Sequence, residues 1–167
     1  MKRIVFCSSV ALLLAGIAAI SAGAGGSYNS VSGAGWRGSP PNPTVAIRHF
    51  EVSAHDGPNG VTGQFSEDQK GNPTATFRGD VKCLVVTGNQ AIVGGVITSS
   101  DDPANVGTGF AIGFQDNANP NPDMVTLTDF QISPPPQTAA DCAAESFLFT
   151  DAPVLPFVRG NVVVNGA

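Results

Sequence analysis

His49 and His55 are the chain's only histidines, and with Glu51 between them they share parity, so extended backbone puts all three side chains on one face. The chemistry such a set would do is metal binding. Six residues of strand, however, hold the two imidazoles roughly 20 Å apart, whereas two ligands of one zinc lie within about 4 Å of each other. Only a fold-back at His55-Asp56-Gly57 would reunite them, so solvent-facing histidines are the simpler reading.

A second candidate is the run Asn117-Ala118-Asn119-Pro120-Asn121-Pro122-Asp123, which carries oxygen-bearing side chains at every second position, the spacing of a calcium loop. Its ligands would be Asp116, Asn119, Asn121 and Asp123, joined by Asp101 and Asp102 if the loops cluster. Pro122 stands where an EF-type loop needs glycine, and the bidentate glutamate is missing. The same residues are those a hairpin loop uses for Asx-turns. The expectation is no cofactor, with calcium at this loop as the alternative. Hydrolase chemistry finds no Gly-x-Ser-x-Gly elbow, and among thirteen acidic residues nothing singles out a glycosidase-like pair. The chain reads as a non-catalyst whose activity resides in the loops at 101–107 and 116–123, because loops on a rigid β scaffold are where binding residues concentrate.

The elements that must position these residues begin after a leader. Lys2 and Arg3 precede an apolar stretch from Ile4 to Ile20, closed by Ser21-Ala22-Gly23-Ala24. A basic start, an apolar centre and an Ala-x-Ala site make an export signal over 1–24, with an uncleaved anchor as the alternative. Either way the remainder lies outside the cytoplasm. Loss of Lys2 and Arg3 takes the net charge from −5 to −7, which argues against nucleic acid and anionic lipid as partners. Cys7 departs with the leader. The pair left, Cys83 and Cys142, reads in an exported chain as one disulfide.

Residues 25–44 are Gly-, Ser-, Asn- and Pro-rich and read as a flexible linker, with Trp36 either loose or docked. From Val45 the chain alternates in twos. Phe50, Val52 and Ala54 oppose His49, Glu51 and Ser53; then follow Val61–Glu67 and Thr74–Val86, where Ala75, Phe77, Gly79, Val81, Cys83 and Val85 share a face. On that phase Cys83 points inward, and Gly79 marks a bend. Gly88-Asn89 turns the chain into Gln90–Thr98, and Gly94-Gly95 marks a bulge or close backbone contact. Thr108–Gln115, Met124–Ile132, Ser146–Thr150 and Phe157–Val164 complete eight strands. The expected fold is all-β and antiparallel, closed into a barrel by pairing Phe157–Val164 with Val45–Ala54, with a two-sheet sandwich as the alternative. One domain spans 45–167.

The run Phe77-x-Gly79-x-Val81-x-Cys83-Leu84-Val85-Val86-x-Gly88-Asn89-x-Ala91-x-x-Gly94-Gly95, with Phe50-x-Val52 before it and Gly160 to Val164 near the end, resembles a pattern in secreted bacterial β-domains of uncharacterised function. The resemblance covers Val45 to Ala167 and implies export, a β fold and the disulfide. It implies no catalytic residue. Two functional classes follow: a secreted structural or interaction domain facing a protein or cell-surface partner, or a small-ligand-binding barrel whose cavity is lined by Phe50, Phe65, Phe77, Phe110 and Phe114. An interior cavity above about 300 Å³ would favour the second.

Overall fold

The alternating runs do become strands. The structure, a computed structural model, describes residues 28–38, 41, 42, 44–69 and 72–167. The leader at 1–24 lies outside the described residues, as does the side chain of Ala75. Nine strands follow one another: β1 (Ser30–Arg37), β2 (Arg48–His55), β3 (Thr62–Gln69), β4 (Asn72–Thr87), β5 (Gln90–Ser100), β6 (Gly109–Gln115), β7 (Met124–Thr126), β8 (Asp129–Ile132) and β9 (Val154–Asn165). Every pairing is antiparallel. The order β5-β4-β3-β2-β1-β9-β7-β6 closes because β6 pairs back onto β5. The result is a closed eight-stranded barrel. β8 is the extra strand: it pairs with the start of β6 at Gly109, Phe110 and Ala111, while β7 pairs with its end at Phe114 and Gln115.

Ser30–Arg37, expected as linker, is β1, and it enters between β2 and β9, the two strands expected to pair. Its inward positions are Val31, Gly33, Gly35 and Arg37, which explains why no apolar stripe announced it. A Cβ on Gly35 would meet the rings of Phe157 and Phe50 at 3.1 Å. The aromatic side chains of neighbouring strands thus fill the space that β1 leaves. Ser146–Thr150, expected as a strand, is instead the short helix α2 (Phe147–Thr150), preceded by α1 (Ala139–Ala144). Leu148 is buried and its neighbour Phe149 half-buried; adjacent residues facing one wall fit a helical turn rather than alternation.

Two bulges interrupt the β4–β5 pairing, the first with its extra residue on β5 and the second with its extra residue on β4. The register against β5 slips between Arg78 and Gly79 and again between Val81 and Cys83. After the second slip Val81 and Leu84 face the lumen, and Cys83 faces outward. The inward placement expected for Cys83 is therefore corrected. The disulfide to Cys142 is present, and it ties the outer wall to α1. Cys83, Cys142, Ile92, Ala111 and Leu148 form a second small core under the segment from 133 to 152. That segment lies close enough that a Cβ on outward-facing Gly113 would strike the ring of Phe149 at 2.7 Å. Hence the Gly109-Phe-Ala-Ile-Gly-Phe114 sequence of β6: large residues inward, small ones beneath the cover.

The main core is aromatic. Phe50, Phe65, Phe77, Phe110, Phe114 and Phe157 meet along the lumen with ring centroids 4.8 to 6.3 Å apart. Each is buried and contributes about 1.5–3 kcal/mol of transfer free energy.

Candidate functional site

Three places bring chemistry together: one end of the lumen, the loop at the other end, and the outer wall.

The lumen is sealed at the end of β3 by a buried ion cluster. Glu67 follows Phe65 in phase and so must point inward. Its Oε1 accepts hydrogen bonds from Arg37 Nη2 at 3.0 Å and from Arg48 Nη1 at 2.5 Å. Its Oε2 accepts one from the hydroxyl of Thr128, in the break between β7 and β8. β3 and β7 are opposite one another in the ring of eight, so Glu67 spans the lumen. Arg37 and Glu67 are wholly buried, while Arg48 is 21% exposed. Burial pushes the Arg37 guanidinium below its usual range, and the charge of Glu67 pulls it back. Sequence reading missed this cluster, although the parity of Glu67 with Phe65 was a signal for it.

The 116–123 loop lies at the opposite end of β6 from the 101–107 loop, so the two acidic loops do not cluster. Its carboxylates hold backbone. Asp123, 5% exposed, accepts from the N–H of Asn117 and of Val162, both at 2.8 Å, and Asp116 accepts from the N–H of Val164 at 3.1 Å. The loop is stitched to β9 by these bonds. Asn119 and Asn121 are exposed. Asp102 caps the 3-10 turn at Pro103–Asn105, and Asp101 is exposed. Among the described residues no group of three or more His, Cys, Asp or Glu is placed to hold a metal ion. His49 and His55 stand apart on the outer face of β2: His49 Nδ1 lies 3.3 Å from Asp68, and His55 Nε2 lies 3.1 Å from the hydroxyl of Thr62.

The outer wall carries a groove of about 520 Å³ running across β1 to β5. Strand register explains it. One row reads Ala34, Glu51, Ser66, Arg78 and Ser99 across the five strands; the next includes Ser53, Gln64 and Asp80. In the first row long Glu51 and Arg78 flank short Ser66, two strand spacings or about 10 Å apart. The bulge of β5 at Thr98 falls at the same place. Val52 and Phe65, between the rows, turn their side chains into the lumen, so the groove meets their backbone. Among the described residues, the side chains of Glu51, Ser53, Gln64, Ser66 and Arg78 make no hydrogen bond or ion pair, while Asp80 has Lys82 at 3.5 Å.

One more row lies two residues along the strands from the first. Arg159, Trp36, His49 and Asp68 face one another in register across β9, β1, β2 and β3. The Trp36 and His49 rings lie 5.0 Å apart, and the Arg159 guanidinium is 5.0 Å from the Trp36 ring. Trp36 is thus neither loose nor a linker residue. It stands about 7 Å along β1 from Ala34, two residues at the strand rise.

The fold and this geometry define an antiparallel eight-stranded barrel with an extra strand, a filled lumen and an outward groove. Comparison of the chain with protein-family models, curated proteins and solved structures finds no match. Among the described residues no helix is long and apolar enough to cross a membrane.

Proposed function

We propose that this chain is an exported, non-catalytic interaction domain that binds a protein or cell-surface component through the outer wall of its barrel. The observation that carries the reading is the contrast across that wall between β1 and β5. Inside, phenylalanine rings and the Glu67 cluster occupy the space; outside, a groove is lined with polar side chains, of which Glu51, Ser53, Gln64, Ser66 and Arg78 have no hydrogen-bond or ion-pair partner among the described residues. The filled lumen weighs against the alternative of a small ligand held within the barrel. Engagement of Asp116 and Asp123 by backbone weighs against the loops as the binding surface. The disulfide fits an oxidising compartment, and the leader supplies the route there.

Backbone amide shifts of the isotopically labelled chain, recorded with and without fractions of cell-envelope material, test this. The expected result is perturbation concentrated at the outward residues of β1 to β5, Glu51, Ser66 and Arg78 among them. Perturbation confined to 101–107 and 116–123, or to the lumen phenylalanines, would overturn it.

A further inference from the structure

Resting on that reading, we infer that the outer groove is a binding site for a neutral, hydroxyl-rich ligand, a short oligosaccharide. Its volume of about 520 Å³ falls within the range of small-ligand sites, about 300–1,000 Å³. Its walls carry hydrogen-bonding side chains and no large apolar side chain that points into it. Glu51 and Asp80 accept, Arg78 donates, and Gln64, Ser53, Ser66, Thr98 and Ser99 do both.

Charge narrows the class. The two carboxylates of the groove are balanced by Arg78 and by Lys82 beside Asp80, and the whole chain carries −5, so no excess of positive charge selects a phosphate-rich or otherwise anionic ligand. Backbone narrows it further. The groove crosses five strands whose N–H and C=O groups are already paired in the ladders, so it has no sheet edge for an extended peptide to join. It lacks the buried aromatic or aliphatic pocket that a protein hot spot fills. A sugar needs neither. Its hydroxyls satisfy carboxylate, guanidinium and hydroxyl partners together, and its C–H face suits an aromatic ring. Trp36, the only tryptophan of the chain, stands outside the groove lining, one row from Ala34 and Glu51, with His49 and Arg159 against its ring. The ring is half-buried, so part of it faces solvent.

Calorimetric titration of the purified chain with a set of short neutral oligosaccharides, with uronate-bearing and sulfated oligosaccharides as the second arm, tests the inference. The result expected is binding of at least one neutral member with an affinity that holds from low to high salt, since no ion pair with the ligand is screened. Asp80→Asn and Glu51→Gln, which keep shape and remove charge, should each weaken binding by about tenfold or more, the loss of one charge-assisted hydrogen bond. Asn119→Ala, at the far end of the barrel, should bind as the parent does. Binding confined to the acidic arm, or unchanged affinity in both carboxylate variants, overturns the inference. If all oligosaccharides are silent while an envelope protein fraction still shifts Ser66 and Arg78, the ligand class is wrong and the outer-wall reading stands. If neither moves those residues, both fall.

Discussion

The two faces of the wall from β1 to β5 are built from the same strands and the same alternation, yet they treat polar groups in opposite ways. On the lumen side a charged residue is admitted only with partners: Glu67 comes with two arginines and a threonine. On the outer side Glu51, one strand over, looks across Ser66 at Arg78 with about 10 Å between them and no ion pair formed. Charges that hold the fold together are paired within the molecule; charges that await something else are held apart. Substitutions on the two faces should therefore separate cleanly, the inner ones acting on stability and the outer ones on binding.

The largest effect belongs to the lumen. Glu67→Ala leaves two guanidiniums without their carboxylate at a buried site, and should cost about 3–5 kcal/mol in a denaturant unfolding curve. A loss within the range of an ordinary surface substitution, about 0.5 kcal/mol, would mean that the cluster is not what seals the barrel. Next comes the covered patch of the outer wall. Cys83→Ala releases α1 from β4 and should lower stability by about 2–5 kcal/mol; two titratable thiols in the native, unreduced protein would remove the basis for that expectation. A smaller loss, about 1.5–3 kcal/mol, is expected for Asp123→Ala, which strips a charged acceptor from the N–H groups of Asn117 and Val162. Added calcium should not raise the melting temperature of the parent chain, because that carboxylate already has its partners. A calcium-dependent rise that Asp123→Ala abolishes would restore the loop as an ion site.

Much of the barrel was legible in the chain. β2, β5 and β6 follow the alternation of Phe50-Val52-Ala54, Ala91-Val93 and Phe110-Ile112-Phe114, and the turn at Gly88-Asn89 joins β4 to β5 as expected. The disulfide followed from an even pair of cysteines. What escaped did so for physical reasons. β1 hides because its inward Gly35 makes room for rings contributed by β2 and β9 and its inward Gly33 for the backbone of β9, so its core face looks like a linker. Cys83 turned out to face outward because a bulge after Val81 reverses parity; the mark of that slip is the Gly94-Gly95 pair opposite it on β5, not anything within β4 itself. Four residues at Phe147–Thr150 are too few to separate period two from a helical turn. The groove is a property of register. Glu51, Ser66 and Arg78 come from three strands, and only their pairing in the sheet sets them side by side.

The central claim, that the outer wall binds and the inner wall holds, is tested most directly by measuring two quantities on one variant. Arg78→Ala lies at the groove and away from the core, so its unfolding free energy should stay within about 0.5 kcal/mol of the parent, while its retention on immobilised cell-envelope material should be lost. Full retention with an unchanged unfolding curve would contradict the account, and so would a loss of retention that only tracks a loss of fold.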